Sequence, residues 1–479
     1  MNPNCCVPSV PHHGSFEAFR TALPVWQERL SAGLSRSLQA TDHTLGHLEE
    51  EILHQTHELE RALLAEAAQQ KADQTPLVCP VCGRPLTRRT HGHERTYATR
   101  FGPVTLRRTR GWCRRCQAWR FPADHALGLS DTGGASPSVQ EMAALAVSKL
   151  PVAEASAVIE RLAGVKLPRA TLDREARRQG QRAERQRTQW DQQMHTAAGA
   201  RQQARDLQGP GPPEPFTLVI QADAWNIRER DEWGQTEQKR AAGQEPSRWH
   251  WVYGGTCFRL SQRVQTAGGR SLILSRGTVM TRGGVDALKE QLWAEAMRHG
   301  LGQARDVLIV ADGAVWIWNL AQDRFAGARQ RLDPWPALQH LWTVGHALHP
   351  DDEAAAAAWV APLKEKLLAG EGVAVIADLG QLLPRLRGAR RKLVETERNY
   401  LASHRARMDY AEARRRSEPQ GSGAMESSCR QYQCRFHRPG QFWSRVGDEA
   451  LMCLETFWRN GRWHVLFPHV PPAFDVSRN

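Results

Sequence analysis

The sequence predicts an α/β protein whose sheet is preceded by a small cysteine-bearing domain and a helical region. Three observations carry this. Thr217 to Gln221 and Val307 to Ala311 are apolar, β-branched runs of strand length, and each leads into an aspartate, Asp223 and Asp312. Stretches of helical periodicity, Gly283 to His299 first among them, lie between and after these runs. Upstream, two Cys-x-x-Cys pairs, Cys79/Cys82 and Cys113/Cys116, flank a segment of about thirty residues.

A chain of 479 residues holds two to four domains, each with its own core. Its net charge of +13 is carried largely by arginine runs and points to a polyanionic partner. No apolar run reaches membrane-spanning length, and the start MNPNCCVPSVPHHGS lacks the apolar stretch of a signal peptide, so a cytoplasmic protein with no membrane partner is expected. Ten cysteines are too few for a disulfide scaffold in so long a chain.

Residues 1–74 read as an N-terminal helical region. Its first fourteen residues look disordered, and Cys5, Cys6, His12 and His13 there suit an untidy tail better than a metal site. His43, His47, His54 and His57 are spaced like helix neighbours, which fits a solvated or helix-pairing face better than a ligand set.

Residues 75–130 read as a zinc ribbon. Each Cys-x-x-Cys turn supplies two thiolates, and strands between them bring the pairs together around a tetrahedral Zn²⁺. The intervening ERTYATRFGPVTLRRTRGW has the pattern of a β-hairpin turning at Phe101-Gly102-Pro103. Its Arg95, Arg100, Arg107, Arg108 and Arg110 are expected to contact nucleic-acid phosphate, with a solvated basic face as the alternative.

Residues 131–207 read as short helices, Val139 to Leu150, Val152 to Leu162 and a third from near Arg169, after a turn punctuated by Gly164 and Pro168. A short basic third helix carrying Arg169 and Arg174 gives the outline of a helix-turn-helix DNA reader, and an ordinary helical bundle fits the same pattern. The helix is expected to continue to about Asp206. A stiff Pro/Gly linker, 208–215, then marks a domain boundary.

The core is expected in two parts, 216–351 and 421–479, around a helical insertion at 352–420. After the strand at Thr217, two more are expected over Trp249 to Leu260 and Ser271 to Met280, then the helix Gly283 to His299 and the strand VLIVA. Three meandering strands, a crossover helix and a fourth strand is the order of a ribonuclease H-like sheet, where the first and fourth strands lie side by side. That would bring Asp223 and Asp312 together. The order is also compatible with a doubly wound α/β domain. Carboxylates converging from strand ends suit a pair of Mg²⁺ ions, which take hard oxygen ligands. Glu426, at the start of a helix from Ser427 to about Arg435, could reach the sheet end as a third ligand, or serve only the helix dipole. Cys257, Cys429, Cys434 and Cys453 are expected as buried thiols, and Phe442, Trp443, Phe457, Trp458, Trp463 and Phe467 as packing for the last helices.

The strings QADAWNIRERDEWG, RWHWVYGGTCFRL, VADGAVWIWN, GSGAMESSCRQYQCRF, GQFWSRVGDEALMCLETFWRNGRW and LFPH strongly resemble bacterial insertion-sequence DDE transposases of the ISKra type, over nearly the whole chain from the zinc ribbon onward. The resemblance implies a ribonuclease H-like core in which Asp223, Asp312 and Glu426 form a catalytic triad holding two Mg²⁺ (or Mn²⁺) ions. It implies cleavage and joining of DNA strands, with the element's terminal inverted repeats and target DNA as partners, and a homo-oligomer on DNA. One departure stands out: Pro336 in LDPWP occupies the place where the family usually has histidine three residues after an aspartate, here Asp333. His340 lies one turn further on. A catalytically impaired copy that only binds DNA, or a nuclease that cuts without joining, are the competing expectations.

Overall fold

A computed structural model describes residues 17–129, 133–208, 214–230, 232, 234–269 and 271–470. Cys5, Cys6, His12, His13 and most of the Pro/Gly linker lie outside these residues. The chain divides into two compact units, Met1–Ala176 and Arg177–Asn479.

The first unit opens with α1 (Glu17–Gln39) and α2 (Leu45–Gln74), which pack on one another. The Trp26 indole N–H donates to the Gln55 carbonyl at 2.6 Å. His47 accepts from the Thr44 backbone N–H at 3.1 Å and stacks on His43 at 4.8 Å, so these histidines build a helix start. β1 (Thr87–Thr99) and β2 (Gly102–Cys113) form the hairpin, with β3 (Ala118–Arg120) antiparallel beside β2. Tyr97, Val104 and Leu106 on one hairpin face pack against Leu64, Ala65 and Ala68 of α2. α3 (Pro122–Ala126), α4 (Pro137–Lys149), α5 (Val152–Ala163) and α6 (Arg169–Met194) follow. Ser136 caps α4, its hydroxyl accepting from the Val139 N–H, and α5 stops at left-handed Gly164.

The helix read as a short DNA reader is therefore the first part of a 26-residue helix, and the division between units falls inside it. The second half of α6 belongs with the second unit because its charges are spent there: Arg187 pairs with Glu449 at 2.9 Å, and Asp191 with Arg298 at 2.6 Å. The helix does not continue unbroken to Asp206 either. At Thr196 the side-chain hydroxyl accepts from the Gly199 N–H at 3.0 Å and starts α7 (Ala197–Gln208).

In the second unit come β4 (Thr217–Glu229), α8 (Thr236–Ala241), β5 (Arg248–Arg259), β6 (Arg263–Gln265), β7 (Ser271–Ile273), β8 (Gly277–Thr281), α9 (Gly284–Arg298), β9 (Asp306–Ala311), α10 (Val315–Arg324), β10 (Arg329–Leu332) and α11 (Pro334–Leu348). The inserted helices are α12 (Glu353–Leu368), α13 (Gly372–Leu382), α14 (Gly388–Ser403) and α15 (Tyr410–Arg415), and α16 (Gly423–Phe436), α17 (Arg445–Arg459) and α18 (Trp463–Leu466) close the unit. The sheet is mixed, in the order β10-β9-β4-β5-β8. β4 and β9 are parallel neighbours, as the element order predicts, and β9 and β10 are also parallel. β5 is antiparallel to β4 and to β8.

The strand expected over Ser271 to Met280 is two. β7 pairs with β6 in a separate small ribbon and is largely exposed, whereas β8 joins the sheet with all five residues buried. The break falls at Ser275-Arg276, and both pairing and burial separate the two. Leu218, Ile220 and Ala222 of β4 share one cluster with Leu288 and Leu292 of α9, Ile317 of α10 and Leu341 of α11. Val360 and Leu363 of α12, Leu379 of α13 and Leu401 of α14 belong to the same cluster, so the insertion is part of the core. On the opposite sheet face Val219, Leu308 and Val310 pack with Ala424 of α16. Among the described residues no helix is long and apolar enough to cross a membrane.

Candidate metal centre and candidate active site

Two knuckles bring four thiols together in the first unit. The Cys79 N–H donates to the Arg84 carbonyl and the Gly83 N–H to the Cys79 carbonyl, folding the first turn back on itself. In the second, the Cys116 N–H donates to the Cys113 Sγ at 3.4 Å. The residue after each second cysteine is left-handed, Gly83 at φ 71° and Gln117 at φ 51°, which turns the chain away from the cluster. The Sγ atoms of Cys79, Cys82, Cys113 and Cys116 all lie within 4.8 Å of one another, with Cys79–Cys116 at 3.8 Å and Cys82–Cys113 at 3.5 Å. These gaps are far too long for a disulfide, about 2.05 Å. They match the edges, about 3.8 Å, of a tetrahedron with metal–sulfur bonds of about 2.3 Å. The cluster could hold a metal such as zinc, and among the described residues it is the only group of three or more Cys, His, Asp or Glu so placed.

The hairpin arginines divide. Arg107 is exposed and pairs with exposed Glu94 at 2.9 Å. Arg110 is half-buried, with its guanidinium over the Trp119 ring at 4.6 Å. Arg169 and Arg174 on α6 are exposed. Arg108 corrects the sequence reading: it is 6% exposed, donates to Asp124 Oδ2 at 2.5 Å and to the Tyr97 hydroxyl at 3.2 Å, and lies over the Phe121 ring at 4.3 Å. Burial raises the Asp124 carboxyl while the Arg108 charge lowers it. Arg108 therefore fastens the hairpin to α3 and offers no donor to a phosphate outside.

In the second unit the register places an acid row. Ile220 pairs with Ile309 across β4 and β9, so Asp223 and Asp312, each three residues on, stand at the same level, Asp312 just past the end of β9 and Asp223 midway along β4, which runs on to Glu229. Leu332 of β10 pairs with Ala311, which puts Asp333 level with Asp312. Three aspartates thus follow one another across three neighbouring strands, on the sheet face that packs against α16; at about 4.8 Å per strand the row spans roughly 10 Å. Asp223 accepts from the Ala224 N–H at 2.7 Å and Asp312 from the Ala314 N–H at 2.9 Å. Burial, with the Asp312 and Glu426 charges added, pushes Asp223 up to about 6. Asp312 is raised by burial and by the charge of Asp333.

Asp333, the aspartate before the position where the family usually has histidine, is both a strand-end acid and a helix cap. One oxygen accepts from the Trp335 N–H at 2.9 Å at the head of α11, and the other from the Ser422 N–H at 2.6 Å and its hydroxyl at 2.7 Å. Gln221 of β4, 1% exposed, works beside it: its amide donates to the Gly421 carbonyl at 3.2 Å and accepts from the Met425 N–H at 3.0 Å. The start of α16 is thus tied to two strands, with Glu426 the next residue. Glu426 itself is exposed and paired with Arg430 at 2.5 Å. The structure brings Asp223 and Asp312 together and keeps Glu426 within electrostatic reach of Asp223; it does not gather all three into one ligand group.

Two residues enter the site unannounced by the sequence. The Cys429 thiol, one turn beyond Glu426 on α16, donates to Asp223 Oδ2 at 3.9 Å, and burial together with the Asp223 charge pushes it well up. Tyr400 of α14 lies over Gly313, where an added Cβ would meet its hydroxyl oxygen at 2.0 Å. Burial, with the charges of Asp312 and Glu397, pushes Tyr400 up to about 12. His340 stacks on Tyr400 at 3.6 Å and pairs with Glu397, and Pro336 sits in the first turn of α11, where its missing N–H costs no helix hydrogen bond. No protein-family model matches the chain, and no curated protein matches it significantly.

Proposed function

We propose that the chain is a DNA transposase of an insertion sequence, with a ribonuclease H-like core that cleaves and joins DNA strands. The observation that carries this is the equal register of Asp223 and Asp312 on the adjacent parallel strands β4 and β9. Two carboxylates so close, one held up to about 6 partly by the other's charge, form a pocket of negative potential that a divalent cation relieves. Asp223 and Asp312 would hold Mg²⁺ or Mn²⁺, with Glu426 turned inward from its exposed pairing with Arg430. Such ions activate the attacking hydroxyl and stabilise the leaving 3′-oxygen of a phosphodiester. The chain's own part is to orient: Gln221 and Asp333 fix the head of α16, and the Ala224 and Ala314 N–H groups fix the two aspartates. Zn²⁺ on the four cysteines and the exposed Arg107, Arg169 and Arg174 fit the binding of element ends.

The exposed Glu426 and the proline at 336 favour a second reading, a DNA-binding copy with a silent core. Mg²⁺- or Mn²⁺-dependent nicking of labelled element-end DNA separates the two. Wild type is expected to cut, with Asp223→Asn and Asp312→Asn each slower by about a hundredfold or more. Cutting by a Pro336→His variant alone would establish the silent core, and cutting that survives Asp223→Asn would remove the acid row from the chemistry.

A further inference from the structure

β4 and β5 run on past the sheet. β9 pairs with β4 only up to Ile220, and β8 pairs with β5 from Tyr253 to Cys257, so residues 224–229 and 248–252 continue as a two-stranded ribbon. Trp443 closes one edge: its N–H donates to the Arg228 carbonyl at 3.1 Å, and its own carbonyl accepts from the Arg230 N–H at 2.8 Å. Trp225, Ile227, Glu229 and Val252 on one face of the ribbon are buried.

The alternation puts Asn226 and Arg228 on the other face, directly opposite Trp251 and Trp249. Trp249 is 60% exposed and Trp251 53%, whereas Trp225 on the buried face is 4% exposed. Two neighbouring indoles turned to water are an unusual surface for a folded chain. Cations attend the aromatic rings: Arg228 lies 5.9 Å from the Trp249 ring and 5.2 Å from that of Phe442, and Arg230 4.1 Å from Phe442. The aromatic stripe continues through Tyr253, edge-on to Trp316 at 5.3 Å on α10, the helix that follows Asp312. Trp251 faces Asn226, three residues past Asp223 and about 10 Å along the strand, so the indoles and the Asp223 carboxylate lie on opposite faces of β4.

We propose that this ribbon face is a stacking platform for unpaired bases of a DNA strand, held on the sheet face opposite the acid row. Flat indole faces take nucleobases of any sequence, while the interleaved guanidiniums answer the phosphates between them. A duplex hides its base faces, so the platform selects a strand that has been opened. The assignment rests on reading the acid row as a DNA-cleaving site.

The test uses the full chain in metal-free buffer, so that binding is read without cleavage. A single-stranded oligonucleotide carrying 5-iododeoxyuridine is photo-crosslinked to the protein, and affinities for single strand and duplex are compared between wild type and a Trp249→Ala/Trp251→Ala variant. The expected result is crosslinks to the peptide holding Trp249 and Trp251, and a loss of single-strand affinity of about tenfold or more, with duplex affinity changed less than about twofold and the melting temperature kept. Unchanged single-strand affinity, an equal loss on duplex, or crosslinks confined to residues 17–176 would overturn it. A variant that only self-associates less assigns the face to a second copy of the chain and also overturns it. Loss of the acid-row reading shows separately, as cleavage that survives Asp223→Asn.

Discussion

The cysteine cluster and the acid row are both arrays of potential ligands, and they are finished to different degrees. Four Sγ atoms sit within 4.8 Å of one another, supplied by two short turns that need nothing else in the chain. The aspartates stand on three strands with their lone pairs partly engaged by backbone N–H groups, and Glu426 faces solvent. A closed, soft-ligand shell is what holding a fold together requires, whereas a working centre keeps positions open for substrate and pays a standing electrostatic cost for crowding like charges. The difference teaches where stability and chemistry reside: the first unit should depend on its ion, and the second should be burdened by its acids.

The largest expected effect sharpens the first half. Chelation, or Cys79→Ser with Cys113→Ser, should remove on the order of 10 kcal/mol of folding energy from the ribbon. Residues 77–129 would then be cut by limited proteolysis while the melting of residues 177–470 is kept; a ribbon equally resistant without metal would break the comparison. Arg108→Ala should come next. Leaving Asp124 buried without its partner costs about 3–5 kcal/mol, while Arg107→Ala, at an exposed pair, costs well under about 1 kcal/mol and, on the proposed reading, lowers DNA affinity alone. Chemical denaturation with DNA titration distinguishes them.

An effect of the opposite sign, a gain in stability, tests the burden on the acid row. The native Asp223 carboxyl titrates at about 6 against an ordinary 3.8, so between those values the folded protein holds a proton that the unfolded chain has released. Stability therefore falls as pH rises from about 3.8 to about 6, and the full penalty remains at pH 7. Asp223→Asn should raise stability by about 3 kcal/mol at pH 7 and by nothing below about pH 4. Added Mg²⁺ should stabilise wild type more than the variant. A variant no more stable than wild type at pH 7 would mean that the row carries no strain.

What could be read from the sequence followed from how locally each feature is built. The Cys-x-x-Cys turns and the apolar runs leading to Asp223 and Asp312 are complete within a few residues, and element order was enough to pair β4 with β9. Asp333 was singled out by the resemblance, but its place level with Asp312 was not readable, because β10 is four residues, Arg-Gln-Arg-Leu, too short and polar to read as a buried strand. What makes it buriable lies far off: Glu418 pairs with Arg331 at 2.8 Å and also with Arg329. Arg108 looked like its exposed neighbours because alternation on the hairpin does not say which face α2 and α3 cover. Cys429 carried no ligand spacing, since its partner is a single carboxylate 206 residues away. Trp249 and Trp251 belonged to a stretch read simply as a strand, and only the early end of β8 and β9 leaves that face bare.

The pairing of Glu418 with β10 also sets an order of events during synthesis. Until residue 418 has left the ribosome, Arg331 has no counter-charge and β10 has little reason to settle beside β9. The head of α16, which holds Asp333 through Ser422, emerges only a few residues later. The growing chain therefore carries an unfinished sheet edge through the whole insertion, with β9 exposed on the side that β10 will cover. Such contacts, separated by nearly ninety residues, form late and slowly, so the edge of the acid row is completed only after the whole insertion has been made and stays open until then to capture by a chaperone or by another nascent copy.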